Sequence, residues 1–466
     1  MSKPLCILQA PTFIRSGYGD WALDIAKSLL RYDKYELFLA PTIWGACSKR
    51  NIDPSIIDDE TKVLLNRILQ GPLTKQPDVF IQMSIPNEFI APAKFNIGMT
   101  AGIETTVPRA EWIEGLNRMN VNFVLSNHAK DVFVNTNYTK TNPNGMVENV
   151  KLNGNPMEVL FWGANLNKYY KTNEKVDTIE KELSTIPEEF AFLFVGQWTA
   201  GNIRSDRKNI GYLIKTFLET FTNMDNPPCL ILKTSGAQIC IMDRYECINK
   251  INDVTNMVKN ELPPGTRLPN VYLLHGELTD KEMNALFNHE KVKMHISFTH
   301  GEGYGHPLLL STLSGKPLLA PKWSGHLDFL NPTHTPFLEG SLNQIPPEAV
   351  NDWFVKEAKW FDVDLDSAKI KMKYYYQNYD SIALERAEKL RLENIEKFSI
   401  QAMDKLFHSY LDKYVPKFAI EESIKLPKLK KLNLPRITHN NDEIEIKQSE
   451  PSTIKTTSDT SITKIT

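Results

Sequence analysis

One stretch of the sequence, residues 293–320, restricts the possible folds more than any other. Apolar residues alternate over Lys293–Phe298, which indicates a buried strand. Pro307 suits the first turn of a helix, Gly315 suits its end, and Lys316–Ala320 is typical of a second strand. The first strand and the helix are joined by a turn with three glycines, Gly301, Gly303 and Gly305. A strand–turn–helix–strand unit of this kind predicts a parallel sheet covered by helices.

Short apolar runs alternate with helical patterns along most of the chain, in two series. The first series of predicted strands is Leu5–Gln9, Tyr35–Leu39, Asp78–Gln82, Phe95–Thr100, Asn122–Leu125 and Glu158–Phe161. The second series is Phe190–Gly196, Cys229–Thr234, Val271–Leu274, Met294–Phe298 and Pro317–Ala320. Each series predicts one α/β domain with a parallel sheet.

Length and composition agree with two domains of an ordinary water-soluble protein. The chain has 466 residues, of which 41% are hydrophobic and 24% charged. The net charge of −2 gives no overall attraction to nucleic acid or to anionic membranes. No apolar run approaches the ~20 residues of a membrane span, and no secretion signal is visible. We therefore expect no stable membrane insertion. The five cysteines lack zinc-site spacing, so we expect reduced thiols and a cytoplasmic location.

The same patterns divide the chain into five segments. Two α/β domains, residues 1–170 and 189–396, flank a polar linker at 171–188, and an amphipathic helix at 397–416 precedes a polar tail at 417–466. Beyond Trp353 we expect charged helices, and the composition of the tail predicts disorder.

Several residues sit where a strand leads into a helix, the place where α/β proteins bind ligands. Free N–H groups at a helix start favour anions, whereas the nearby carboxylate of Glu302 suits sugar hydroxyls better than phosphate. Gly17 and Gly19 form a second turn of this type, and Glu104 follows another strand. For both turns, tight packing is the alternative explanation; for Glu104, it is capping of a helix start.

Two cationic positions follow neighbouring predicted strands. Arg207 and Lys208 end the loop after Phe190–Gly196, with Arg204 nearby, and Lys233 lies at the end of the next strand. Such side chains stabilise negative charge on a ligand without a metal ion. Solvated surface charges are the alternative. Four histidines between residues 295 and 326 match no standard set of metal ligands, so we predict no metal or other cofactor.

The glycine turn and its surroundings resemble a known family. The runs GEGYGHPLLL at 301–310, SGKP at 314–317 and WSGHLDFL at 323–330 resemble the nucleotide-sugar loop of group 1 (family 4) retaining glycosyltransferases, most closely members encoded by tailed bacteriophages. The resemblance implies a GT-B fold, in which two doubly wound Rossmann-like domains enclose an interdomain cleft and the last helix crosses back to the first domain.

The resemblance also implies roles for individual residues. Glu302 would hold the donor hexose, Lys208 and Lys233 the diphosphate, and Glu104 would face the cleft. Further donor contacts are implied for Gly17, Gly19, Arg207, Gly303, Tyr304, Gly305, His306, Ser324 and Gly325, while Asp328 is expected to cap or pair locally. The family's second glutamate, which holds the ribose, is Leu310 here. Another group then holds the ribose, the donor binds less tightly, or catalysis is lost; we favour the first.

The resulting hypothesis is transfer of a hexose from a nucleoside-diphosphate sugar to an unknown hydroxyl acceptor, with retention of anomeric configuration. For a phage-encoded enzyme the compartment would be the host cytoplasm. Because of Leu310, a non-catalytic protein that binds sugar nucleotides or glycans is the first alternative. A glycosyltransferase that acts on modified DNA is the second, suggested by the basic run near Lys428 and opposed by the near-neutral charge.

Overall fold

The computed structural model describes residues 3–53, 57–141, 144–198, 203, 205–236 and 239–418. Arg204 and the predicted tail from residue 419 onward lie outside the described residues.

The first half of the chain builds a six-stranded sheet. Its elements are β1 (Leu5–Ala10), α1 (Gly17–Tyr32), β2 (Glu36–Pro41), α2 (Asp59–Leu65), β3 (Val79–Met83), β4 (Phe95–Thr100), α3 (Ala110–Leu116), β5 (Val121–Val124), α4 (Asn127–Asn135), β6 (Tyr138–Thr141), β7 (Val147–Val150) and β8 (Met157–Val159). The strand order is β2-β1-β3-β4-β5-β8, and all five pairings are parallel. Strands β6 and β7 form a separate antiparallel hairpin.

The second half builds another six-stranded sheet. Its elements are α5 (Asp177–Ser184), β9 (Ala191–Val195), α6 (Ile210–Thr220), β10 (Cys229–Lys233), α7 (Ile241–Glu261), β11 (Val271–Leu274), α8 (Asp280–Asn288), β12 (Val292–Ile296), α9 (His306–Thr312), β13 (Leu318–Pro321), β14 (Phe337–Leu338), β15 (Gly340–Gln344), β16 (Lys359–Val363), α10 (Leu365–Gln377), α11 (Ser381–Phe398) and α12 (Ile400–Tyr414). The order β11-β10-β9-β12-β13-β14 is again wholly parallel. The predicted pair of doubly wound α/β domains is therefore confirmed.

Local sequence explains how the helices begin. Ser16 caps α1, its hydroxyl accepting a hydrogen bond from the Gly19 N–H at 3.1 Å. Thr279 and Glu282 form a capping box at the start of α8. Helix α5 lies inside the stretch predicted as a linker, and its Ile179 is buried in a cluster with side chains of β9 and β10. The second half of that stretch thus packs with the second sheet.

The last helix returns to the first half of the chain, as expected. Phe407 of α12 is 1% exposed and meets Phe123 of β5 edge to face, with ring centroids 5.9 Å apart. The His408 ring lies 3.0 Å from the Ser28 carbonyl oxygen of α1. Because α12 fills a groove of the first domain, the first domain contains both ends of the described chain.

The expectation of helix throughout the region after Trp353 was wrong. Strands β15 and β16 pair antiparallel, with Leu342 opposite Phe361, before the chain enters α10. The hairpin reaches the first half of the chain, where the Thr106 N–H donates to the Lys359 carbonyl oxygen at 3.0 Å.

Candidate functional site

The strand order of the second sheet reverses between β9 and β12, which pair with each other. In doubly wound sheets such a reversal opens a crevice at the carboxyl ends of the two strands, and ligands bind there. The loop after β9 carries Arg207 and Lys208, and the loop after β12 carries Glu302. These loops touch, since the His300 N–H donates to the Arg207 carbonyl oxygen at 3.0 Å.

Four charged side chains form one cluster, which we call the charged quartet: Glu104, Arg207, Lys208 and Glu302. Lys208 Nζ lies 2.5 Å from Glu302 Oε1, with both side chains largely buried. Arg207 Nη1 lies 3.0 Å from Glu104 Oε1 and 4.0 Å from Glu302 Oε2. Since Glu104 follows β4 of the first sheet, the quartet joins the two domains.

The quartet holds Glu302 in its ionised form. Burial alone would raise the pKa of Glu302, but the opposing charges of Lys208 and Arg207 lower it below its usual value. Burial also opposes the charge of Arg207, yet Glu104 and Glu302 raise its pKa. Burial lowers the pKa of Lys208, and the charge of Glu302 opposes that shift. The guanidinium and ammonium groups keep N–H donors for further acceptors.

Asp206 fixes the position of Lys208 and was not singled out from the sequence. Its buried carboxylate accepts hydrogen bonds from the backbone N–H groups of Lys208, at 3.1 Å, and of Ile210, at 2.7 Å. Between them Asn209 adopts a left-handed conformation with φ of 55°. An aspartate just before an apolar helical pattern was the available signal for this cap.

The glycine turn after β12 packs directly on the first domain. A Cβ atom on Gly301 would lie 2.0 Å from the Glu104 carbonyl oxygen, so only glycine fits this approach. A Cβ on Gly303 would lie 2.7 Å from the Ala101 oxygen. The Ser126 hydroxyl donates to the Gly303 carbonyl oxygen at 2.6 Å. These glycines serve close packing between domains, which was the alternative explanation for such turns, and the packing itself brings Glu302 to Glu104.

The loop after β13 supports Glu302 from the other side. Ser324 Oγ accepts a hydrogen bond from the Glu302 N–H at 2.9 Å, and the Gly325 N–H donates to the Glu302 carbonyl oxygen at 3.0 Å. Ser324 has a φ of 81°, a strained value for a residue with a side chain. The next residue, Gly325, has no room for a Cβ, which would lie 2.3 Å from the Gly303 oxygen.

His326 belongs to the same site, although the sequence placed it there only as part of a longer run. Its ring is fully buried, and Nε2 lies 2.7 Å from the Pro321 carbonyl oxygen, to which it donates. Burial lowers the pKa of His326 despite the nearby Glu302, so the ring is neutral at pH 7. Nδ1 is then an acceptor, and it has no partner among the described residues.

Asp328 does not pair locally, so that expectation was wrong. Its two carboxylate oxygens accept from the backbone N–H of Asn127 at 2.9 Å and from the side-chain amide of Asn127 at 2.8 Å. Asn127 begins α4 of the first domain. Asp328 is therefore a further polar tie between the domains.

The first glycine turn lies at the carboxyl end of β1. Gly17 is exposed, and a Cβ there would approach only Trp162, at 3.9 Å. Gly19, by contrast, has no room, since its Cβ would lie 2.0 Å from the Ile14 carbonyl oxygen. The intervening Tyr18 hydroxyl accepts from the Ala101 N–H at 2.9 Å, which ties this turn to the loop after β4.

Lys233 is not part of the charged quartet. It ends β10 beside β9, as the sequence indicated, but its Nζ donates to the Gly276 carbonyl oxygen at 2.7 Å. Burial and the nearby Arg15 lower its pKa, while Glu277 opposes that shift. Within the described part of the chain it makes no hydrogen bond or ion pair with Lys208 or Glu302.

The remaining predicted donor contacts lie at the start of α9. Tyr304 is buried in the apolar core, in edge-to-face contact with Phe329. His306 stacks on Trp162 of the first domain, with ring centroids 3.5 Å apart and planes 9° apart. Leu310, at the place of the family's ribose-binding glutamate, packs half-buried against apolar side chains.

One group of described side chains away from the quartet has metal-ligand chemistry. Ligand atoms of Asp243, Cys247 and His275 lie within 4.8 Å of one another. They also bond internally, since His275 Nε2 is 2.6 Å from Asp243 Oδ2 and the Gly236 N–H donates to Oδ1 at 2.8 Å. With these bonds the Asp243 carboxylate connects α7 to the loops after β10 and β11, which explains its burial without a metal ion.

Comparison with known proteins identifies the fold. No family model matches the sequence, and no curated protein matches it either. Solved structures do match. HepE from Anabaena, in complex with UDP and glucose, is similar with a TM-score of 0.57 and 10% identity, over 88% of this chain and 100% of the other. The chain has the GT-B fold.

Two further solved structures have the same architecture. A glycosyltransferase from Rickettsia africae is similar with a TM-score of 0.56 and 12% identity, over 88% of this chain and 99% of the other. Sucrose-phosphate synthase from Thermosynechococcus elongatus has a TM-score of 0.56 at 11% identity, over 88% and 98% of the two chains. The neighbours are thus GT-B glycosyltransferases, and the predicted fold is confirmed.

Two smaller expectations concern the cysteines and the membrane. All five cysteines are free thiols in the structure. Among the described helices, none combines the length and the apolar character that crossing a membrane would need.

Proposed function

We propose that this GT-B protein transfers a hexose from a nucleoside-diphosphate sugar to a hydroxyl acceptor, with retention of anomeric configuration. The observation that carries the proposal is the charged quartet, in which Arg207, Lys208 and Glu302 at the strand reversal of the second sheet meet Glu104 of the first domain. The motif at residues 301–330 supports a place in family 4 beside phage-encoded members, and hence a host-cytoplasmic location.

In this proposal the cations receive the diphosphate. Lys208 has three N–H donors and Arg207 five, so each bonds a carboxylate and a phosphate oxygen together. As the bond between the anomeric carbon and the phosphate oxygen breaks, negative charge grows on the diphosphate, and fixed positive charges stabilise it. These residues would do so without a metal ion. The exposed Gly17 N–H at the start of α1 adds a further donor on the opposite side of the cleft.

The carboxylate of Glu302 and the ring of His326 would hold the sugar. Both offer acceptor atoms to hydroxyl groups, and both are held in place by hydrogen bonds, Glu302 to Ser324 and His326 to Pro321. For retention, the acceptor oxygen bonds the anomeric carbon on the face that the diphosphate leaves. The acceptor's proton passes to the departing phosphate oxygen, which balances the step.

The proposal is tested first by donor binding and then by turnover. Thermal stabilisation of the full chain is measured with UDP, GDP, ADP and dTDP sugars, and release of nucleoside diphosphate is followed with a panel of hydroxyl acceptors. Lys208→Met should abolish release, whereas Lys356→Met, which changes an exposed lysine, should not. Stabilisation by no nucleotide sugar would refute the proposal, as would unchanged release in Lys208→Met.

A second candidate, a protein that binds a nucleotide sugar without transferring it, is favoured by Leu310. Its half-buried side chain packs among apolar groups and offers no acceptor to a ribose hydroxyl. The two candidates differ in one result. A transferase releases nucleoside diphosphate when donor and acceptor are both present, whereas a binding protein is stabilised by the donor and releases none with any acceptor.

A further inference from the structure

A cavity of about 350 Å³ lies beside the β15–β16 hairpin. Its lining consists of Asn209, Tyr212, His300, Gln344, Pro346, Trp360, Asp362, Val363 and Leu365. This volume falls within the roughly 300–1,000 Å³ of small-molecule sites. None of these residues has a role in the donor chemistry proposed above.

Two buried polar atoms of this cavity lack partners among the described residues. They are Nε2 of His300, a residue 3% exposed, and Oδ1 of Asn209, a residue 2% exposed. An unpaired buried polar group costs roughly 1–3 kcal/mol, so such atoms normally have a hydrogen-bond partner. Both residues line the cavity, although the two atoms themselves are covered by protein.

The tautomer of His300 follows from its other nitrogen. Nδ1 lies 2.8 Å from the Phe361 carbonyl oxygen and 3.1 Å from Asp362 Oδ1, and both of these atoms are acceptors. Nδ1 therefore carries a hydrogen, which makes Nε2 the acceptor nitrogen of that tautomer. The ring is held in place by stacking on Trp360, with centroids 3.9 Å apart and planes 5° apart.

The chemistry of the cavity favours a ligand rich in hydroxyl groups. The half-exposed carboxylate of Asp362, which already accepts from Asn343 at 2.9 Å, has acceptor capacity left for hydroxyl groups. The half-buried ring of Tyr212 adds an aromatic surface of the kind that packs on sugar C–H groups. A phosphate or carboxylate needs donors instead and would meet the negative charge of Asp362.

The cavity adjoins the charged quartet along two backbone segments. Asn209 directly follows Lys208, and His300 precedes Glu302 by two residues. The hairpin that forms the other wall hydrogen-bonds to this turn, because the Phe361 N–H donates to the His300 carbonyl oxygen at 2.9 Å. A ligand bound here would contact the segments that position the donor-site cation and carboxylate.

We propose that this cavity binds a sugar unit of the acceptor, so that the acceptor is a glycan. That the ligand is the acceptor rests on the proposed glycosyl transfer. That the ligand is a sugar is argued from the cavity alone. The hairpin thereby acts as a specificity element for a saccharide held beside the donor site.

The test is saturation-transfer NMR of the full chain with glucose, galactose, mannose, maltose and lactose, in the presence and absence of UDP. At least one saccharide should give a signal that UDP does not displace. In Tyr212→Ala the dissociation constant for it should rise about tenfold, the effect of losing one aromatic contact. Tyr374→Ala, which removes a 54% exposed tyrosine of α10 outside the cavity, is the matched control and should bind as the wild type does.

Asp362→Asn is a second variant, which keeps the shape of the carboxylate side chain. It should weaken binding of the same saccharide. Absence of a signal from the whole panel would overturn the inference, as would displacement by UDP or unchanged binding in both cavity variants. Thermal stabilisation by UDP-glucose is measured separately in each variant. If saccharides bind the cavity while no nucleotide sugar stabilises the protein, the transferase proposal fails and the sugar site stands.

Discussion

The buried ion pair between Lys208 and Glu302 allows a quantitative prediction about the change Lys208→Met. The two side chains are 13% and 9% exposed, and their charged atoms are 2.5 Å apart. Removal of one partner from a buried pair costs about 3–5 kcal/mol, because the remaining charge stays desolvated. Arg207 still lies 4.0 Å from Glu302 and offsets part of the loss. We therefore expect a loss of about 3 kcal/mol in the free energy of unfolding, the lower end of that range.

The assay is urea unfolding in a double-mutant cycle with Glu302→Gln. Since the two residues are in contact, the double variant should be about 2 kcal/mol more stable than the sum of the single losses implies. An exposed pair serves as the control. Lys62 and Asp59 are 3.0 Å apart with side chains 45% and 97% exposed, and Lys62→Met should cost less than about 1 kcal/mol.

The same pair predicts a dependence on pH. Because the folded protein lowers the pKa of Glu302, the pair's contribution is fully present above the unfolded pKa of about 4.3. It is lost as the pH falls through the folded value. In Lys208→Met burial raises the pKa of Glu302 without Lys208 to oppose it, so protonation relieves the variant first. The stability difference between wild type and Lys208→Met should therefore be largest at pH 7 and shrink as the pH falls. The reasoning is refuted by a cost below about 1 kcal/mol with additive single changes, or by a difference that grows on acidification.

Three further predictions concern two packing contacts and the absence of a metal requirement. Gly19→Ala should lower the free energy of unfolding by about 1–3 kcal/mol, since the new Cβ would lie 2.0 Å from the Ile14 oxygen, whereas Gly17→Ala should change it by less than about 0.5 kcal/mol in urea titrations. Phe407→Ala should cost about 3–5 kcal/mol in the same assay, because its ring is 1% exposed and packs on Phe123; a loss near zero would show that α12 is not docked. Chelation with EDTA should leave nucleoside-diphosphate release unchanged, and loss of release that added Mg²⁺ restores would contradict the role given to the cations.

The sequence carried enough information for the fold and for half of the site. Parallel strands place their carboxyl ends on one edge, so residues after different strands meet there irrespective of distance along the chain. This rule, together with the interdomain cleft that the GT-B resemblance implies, predicted that Glu104, Arg207, Lys208 and Glu302 lie at one cleft. It did not resolve individual partners. Lys233 ends a neighbouring strand yet bonds the Gly276 oxygen, because an edge several strands wide has room for separate clusters.

The hairpin and its cavity were beyond sequence reasoning for physical reasons. Strand β15 has one large apolar residue, Leu342, and all of its residues are exposed, so no alternation marks it. Its pairing with β16 spans a loop of irregular structure. Asn209 lines the cavity in a left-handed conformation, which asparagine tolerates but which no sequence pattern marks at this position. The pairing of Asp328 with Asn127 likewise connects residues 201 positions apart.

The position of α12 has a consequence for the order in which the protein is made. A ribosome completes the first sheet, by Val159, long before it reaches Ile400. Until then the surface of the first domain that later covers Phe407 and Leu411 faces water, with its apolar side chains open to the wrong partners. The amino-terminal domain is thus synthesised first and finished last, and its final layer arrives only after the whole second domain has emerged.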